Sequence, residues 1–116
     1  MYLSTQDELE AFCESASKCR VIAVDTEFLR EKTYYPRLCL IQVNADGNIV
    51  AIDPITIKDL SPLASIFENP DVVKVFHACS QDLEVIYDGM GCICRNVFDT
   101  QIAAAFLGLR QQIGYG

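Results

Sequence analysis

The sequence predicts an α/β domain: a mixed sheet flanked by helices, with an antiparallel three-strand meander followed by strands that alternate with helices. Three observations predict it. Short apolar runs of strand length recur at 21–24, 38–43, 49–52 and 72–76. Asp46-Gly47 stands between the second and third runs, a strong hairpin signal that makes those strands antiparallel neighbours. Beyond residue 60 the apolar spacing turns helical between the runs, and strands alternating with helices imply parallel pairing in a sheet with helices on its faces.

The elements follow in order. Thr5-Gln6-Asp7-Glu8 is a capping box, and Leu9, Phe12, Cys13 and Ala16 follow at helical spacing, which predicts a helix over 6–17. A first strand covers 20–28. Strands at 38–43 and 49–52 are joined through 44–48. Ser61-Pro62 reads as an N-cap with proline at the first helical position, opening a helix to 67. The fourth strand covers 72–77, and Ser80 can cap a helix whose buried stripe is Leu83, Ile86, Tyr87 and Met90. A short strand at 96–98 precedes a helix that opens near Asp99-Thr100 and runs to 107, with Gly108 as its stop. The predicted order is α-β-β-β-α-β-α-β-α. The tail 110–116 carries no terminating element, so the domain is expected to be truncated at its C-terminus.

A length of 116 residues fits one small domain, and 51% apolar residues argue a packed core rather than disorder. No stretch approaches the roughly 18 apolar residues of a membrane span, and the polar, acidic start is no secretory signal. The expectation is a cytoplasmic protein with no membrane partner. Its six cysteines would then stay reduced, with no disulfide-linked partner. Cys92-Ile93-Cys94 lacks the usual zinc spacer, no second pair stands at ligand spacing, and the chain has one histidine, all of which argues against structural zinc. Cys13 and Cys39 read as small core residues.

A formal charge of −7 would normally count against a nucleic-acid partner, since phosphate binding favours net basic surfaces. Carboxylates that hold cations, however, contribute negative formal charge while making a locally positive site. Arg30, Lys32 and Arg37 flank Tyr34-Tyr35-Pro36, and basic residues interleaved with aromatics suit a single-stranded nucleic acid. The same segment reads equally well as a solvated loop over a sheet edge.

The chemistry concentrates in three carboxylates. The run at 21–24 stops at Asp25-Thr26-Glu27, and strand alternation points Asp25 and Glu27 the same way. Asp82 falls in the first turn of a later helix, where the macrodipole tolerates negative charge. Like charges this close are costly unless a cation neutralises them, and oxygen ligands of this kind suit magnesium or manganese. Two chemistries fit. A phosphatase of the aspartyl type normally carries Asp-x-Asp followed by small residues, whereas Phe28-Leu29 follows here. Two-metal phosphodiester hydrolysis needs a carboxylate bridging both cations.

Val24-Asp25-Thr26-Glu27-Phe28, Thr33-Tyr34-Tyr35-Pro36, Leu38-Cys39-Leu40-Ile41-Gln42, Ile52-Asp53-Pro54, the run from His77 to Val85 and Phe98-Asp99-Thr100-Gln101 together resemble bacterial ribonuclease D. That family is a 3′–5′ exoribonuclease of the DEDD superfamily with a ribonuclease H-like fold. The resemblance implies catalytic and metal-binding roles for Asp25, Glu27 and Asp82. Asp25 would bridge two divalent ions, Mg2+ or Mn2+. Glu27 would hold the ion that carries the attacking water, and Asp82 would support the second ion. It also implies that Thr26, Phe28 and His77 face the substrate, a single-stranded RNA 3′ end of the tRNA-precursor type. A histidine at a strand end also has a purely structural reading. Asp99 matches a family position and is read as a helix cap. The family's third motif, a tyrosine shortly before a final aspartate, has no match after Asp99. Residues 1–116 therefore read as a partial 3′–5′ exonuclease domain, inactive alone. The alternative is a non-catalytic nucleic-acid-binding or scaffolding domain of the same fold.

Overall fold

In the computed structural model, which describes residues 1–29, 37–77 and 80–101, the chain opens with a two-residue strand, β1 (Tyr2–Leu3). Two residues show no alternation, which is why the sequence reading passed over this strand. Helix α1 (Gln6–Ala16) then starts from the capping box: Glu8 N–H donates to Thr5 Oγ1 at 3.3 Å, and Thr5 N–H donates to Glu8 Oε1 at 3.2 Å. Its buried residues are Leu9, Phe12, Cys13 and Ala16, at the predicted spacing.

The meander is built from β2 (Val21–Leu29), β3 (Arg37–Ala45) and β4 (Asn48–Ile52). Its second turn is tighter than the five-residue connection read from the sequence. Asp46 and Gly47 both take positive φ, 54° and 83°, and Gly47 N–H donates to Asn44 Oδ1 at 2.9 Å. Two residues in this conformation match the right-handed twist of the flanking strands, so pairing continues to Ala45↔Asn48.

Helix α2 (Ser61–Glu68) corrects the predicted cap. Ser61 is its first residue and Leu60 occupies the N-cap, without a side-chain bond. The carboxylate of Asp59 accepts from Ser61 N–H at 3.0 Å, so the orphan donor is satisfied from further upstream. Strand β5 (Val73–Phe76), helix α3 (Ser80–Met90) and strand β6 (Val97–Asp99) complete the described elements. Ser80 is the first residue of α3 rather than the residue before it. Thr100 and Gln101 turn helical behind Asp99, whose Oδ1 accepts from Gln101 N–H at 2.8 Å, the cap expected of it. The basic and aromatic segment 30–36 and the predicted helix and tail beyond 101 lie outside the described residues.

The sheet runs β1-β4-β3-β2-β5-β6. β3 is antiparallel to β2 and β4, while β1 is parallel to β4, β5 to β2 and β6 to β5. One face, carrying Leu3, Ile22, Val24, Ile41, Val43, Val50, Ile52 and Phe76, forms a single core with the buried residues of α1, α2 and α3. On the other face Tyr2, Val21, Ile49 and Phe98 are exposed among the described residues. Helix α3 buries Asp82, Val85 and Ile86 and leaves Tyr87 exposed, so its buried stripe is turned from the predicted one. A close approach explains the rotation: a Cβ on Gly89 would sit 3.1 Å from a Leu38 methyl of β3.

Lys74 breaks the apolar pattern of β5. Its side chain is 0% exposed, and its ammonium donates to the carbonyls of Asn69 and Arg95. Burial lowers its pKa, but the two carbonyls supply the partners that a buried cation requires. The bonds tie the end of α2 to the segment before β6, where Arg95 N–H also donates to Phe67 O at 2.9 Å. They hold that edge of the sheet, and with it the strand that leads into α3.

The hairpin gives a direct test. A Cβ on Gly47 would meet nothing within 4 Å, so the only cost of Gly47→Ala is its positive φ. Urea denaturation should show a loss of about 1 kcal/mol with the slope unchanged. No change would mean that the turn does not hold this conformation.

Candidate functional site at the end of strand β2

Strand β2 lies between β3 and β5, and its alternation decides where each polar side chain of Asp25-Thr26-Glu27 goes. Asp25 and Glu27 are exposed on the open face, beside their β3 partners Gln42 and Leu40. Thr26 points the opposite way and is 6% exposed. The register to β5 ends at Ala23↔Val75, and two further steps bring Asp25 level with His77, which is exposed at the strand's end. Pairing between β2 and β3 slips between Glu27 and Phe28, where Phe28 pairs with Leu38 and Cys39 becomes the extra residue. Phe28 is half-buried and packs against the core.

Asp82 arrives from α3 on the core side and is 7% exposed. Its Oδ1 accepts a hydrogen bond from Thr26 Oγ1. Burial raises the Asp82 pKa above the usual carboxylate range. The Thr26 hydrogen bond opposes that rise, while the negative charges of Asp25 and Glu27 add to it. The three carboxylates are thus within electrostatic reach of one another. Thr26 N–H also donates to Asp25 Oδ1 at 3.0 Å. As donors the three suit a hard divalent cation. Among the described residues, no three acidic, histidine or cysteine side chains are already gathered closely enough to hold one.

The His77 ring is tied to the residue that follows β6. Thr100 Oγ1 donates its one proton to Phe76 O at 3.2 Å and lies 2.8 Å from His77 Nδ1. Sequence reasoning missed Thr100 and the Thr26–Asp82 bond. Thr100 carried only the signal of a residue beside a helix cap. For Thr26, strand alternation alone would have put its hydroxyl on the core side.

Of the residues expected to face a substrate, His77 stands on the open face. Thr26 directs its hydroxyl to Asp82 instead, so toward a ligand on that face it offers backbone. No disulfide joins the described cysteines, Cys13, Cys19, Cys39, Cys92 and Cys94, and burial pushes the Cys13 thiol up to about 12.

A family model described as 3′–5′ exonuclease matches residues 1–116. The ribonuclease D of Sphingobium indicum is 54% identical over 110 residues, covering 93% of this chain and 28% of its own length. The chain spans less than a third of the curated relatives it matches, 28–31% for the first three. Among solved structures, Escherichia coli RNase D, described as an exoribonuclease involved in structured RNA processing, superposes with a TM-score of 0.89 at 44% identity, over 93% of this chain and 29% of that one. The catalytic core of RRP6 from Trypanosoma brucei gives 0.83 at 29% identity, over 88% and 29%. The six-stranded mixed sheet is that of these exonuclease domains, with the ribonuclease H-like fold that the resemblance implied.

The raised pKa of Asp82 has a measurable sign. The folded protein holds this proton more tightly than the unfolded chain, so stability is lost as pH rises from the ordinary carboxylate range through the raised value. In EDTA, Asp82→Asn should melt a few degrees above the wild type at pH 7, the gap closing on acidification below that range. Parallel melting curves at every pH would show that Asp82 is not destabilised by its surroundings.

Proposed function

We propose, for a chain that belongs to the 3′–5′ exonuclease family, that it removes nucleotides from the 3′ end of RNA by metal-dependent phosphodiester hydrolysis. The observation that carries the reading is the disposition of the motif carboxylates. Asp25 and Glu27 are exposed side by side at the end of the central strand, and Asp82, from the start of α3 on the core side, is bonded to the Thr26 that stands between them. Asp25, Glu27 and Asp82 would hold two divalent ions, Mg2+ or Mn2+. When bound, such ions activate water at neutral pH and stabilise the charge on the leaving oxygen.

The chain's own groups do the rest. The three carboxylates fix the position of the site and, left without counter-charge, repel one another. His77, exposed and level with Asp25 on the open face, would contact a hydroxyl of the terminal nucleotide. The resemblance gives Phe28 a place beside that nucleotide although its ring packs on the core side of the strand end, and Thr26 contributes backbone. The substrate is single-stranded RNA at its 3′ end, with tRNA precursors as the physiological class and the cytoplasm as the compartment. No helix among the described residues is long and apolar enough to cross a membrane.

The 116 residues carry the first two motifs of the resemblance, whose third supplies a tyrosine and a further carboxylate. Residues that act as a unit lose most of their rate enhancement when one is missing, so these residues alone should degrade RNA very poorly.

The test uses 5′-labelled single-stranded RNA in millimolar Mg2+ or Mn2+. A chain carrying residues 1–116 together with the third motif should shorten it stepwise from the 3′ end. Asp25→Asn should cut the rate at least about 100-fold, the upper range seen when mere supporting partners of metal sites are lost. Degradation that persists in EDTA, or in Asp25→Asn, would remove these carboxylates from the mechanism. Binding of RNA without cleavage by the longer chain would establish the non-catalytic role.

A further inference from the structure

We infer that Thr26 is a positioning residue of the carboxylate site, holding Asp82 through its hydroxyl and Asp25 through its backbone N–H. The inference rests on the metal-dependent reading above and assigns the residue between the two exposed carboxylates a task of its own. Thr26 Oγ1 donates to Asp82 Oδ1, a residue 56 positions away, and Thr26 N–H donates to Asp25 Oδ1 at 3.0 Å. One residue therefore contacts a carboxylate from each of the two motifs, one on either side of the sheet.

Burial makes the side-chain bond consequential. Thr26 and Asp82 are both more than nine-tenths buried, so water is a poor substitute partner for either. The described residues contain no buried side-chain oxygen or nitrogen without a partner, and this bond is part of that completeness. Asp82 also faces two negative neighbours, Asp25 and Glu27, which favour its turning away. A hydrogen bond from a fixed donor opposes that movement. Threonine suits the task because branching at Cβ leaves few χ1 rotamers, so the strand backbone itself aims the hydroxyl. Valine would keep the shape and lose the proton, whereas serine would keep the proton with a looser aim.

The inference is tested by binding of Mn2+ alone, without RNA or turnover. Affinities are measured by electron paramagnetic resonance of free Mn2+ for the wild type, Thr26→Val, Thr26→Ser, Asp82→Asn and the Thr26→Val/Asp82→Asn double variant. Thr26→Val should weaken Mn2+ about tenfold, the scale of a lost supporting partner in a metal site. Thr26→Ser should stay within about threefold of the wild type, because the donor survives. In the Asp82→Asn background Thr26→Val should cause no further loss, because its effect passes through Asp82. If Thr26→Val does not fold, Thr26→Ala against Thr26→Ser makes the same comparison. Wild-type affinity in Thr26→Val, or an equal loss with and without Asp82, would overturn the inference while leaving the metal reading intact. A wild type that binds no Mn2+ would overturn both.

Discussion

Strand β2 has to serve two faces of one sheet at once, and the period of two along a strand is the constraint from which the rest of the site follows. Ile22, Val24 and Thr26 look into the core, while Ala23, Asp25 and Glu27 look out. The inward set binds the strand to its helices. The outward set puts two carboxylates together where bulk water, not protein, meets their charge. A shift of one residue would bury Asp25 and Glu27 and expose the core residues, so the apolar residues that stabilise the fold also fix the site's polarity. The flanking pairs, β3 on one side and β5 on the other, lock that register along nearly the whole strand.

Asp82 tests the cost of this arrangement. It enters from the buried side, loses most of its hydration and gains the Thr26 hydroxyl in return. Lys74, on the neighbouring strand, is a comparable case of the opposite sign, an ammonium wholly out of solvent and bonded to the carbonyls of Asn69 and Arg95. In both, a buried charge-bearing group is placed beside atoms able to partner it, as burial of polar groups demands. They differ in surroundings. Lys74 faces carbonyl dipoles that favour its charge, whereas Asp82 faces the like charges of Asp25 and Glu27. One holds the sheet edge in place. The other meets two like charges with the Thr26 hydroxyl as its donor.

Most of the architecture was legible because its signals were local. The capping box at Thr5 and the stripe from Leu9 to Ala16 specified α1 without help from the rest of the chain. Asp46-Gly47 specified the hairpin, since both residues had to accept positive φ. What escaped was set by contacts distant in sequence. β1 exists because β4 offers it an edge, with Tyr2 against Ala51 and Leu3 against Ile52. The buried stripe of α3 turned because Gly89 lets the helix close on Leu38. The cap of α2 moved because Asp59 reaches Ser61 N–H first. At the site, the parity of Asp25 and Glu27 was readable from spacing alone. The bond that joins Thr26 to Asp82 spans 56 residues and needed the fold.

The central claim is that the end of β2, with the start of α3, gathers a divalent cation on the open side of the sheet. Paramagnetic broadening of the amide spectrum by substoichiometric Mn2+ tests it most directly, because the effect falls steeply with distance from the ion and needs no catalytic turnover. The account predicts selective loss of the signals of Asp25, Thr26, Glu27 and Asp82, with the hairpin at Asp46-Gly47, at the opposite end of β2, unaffected. Broadening centred on other acidic residues, such as Glu10 and Glu14 of α1, or spread evenly over the protein, would contradict it.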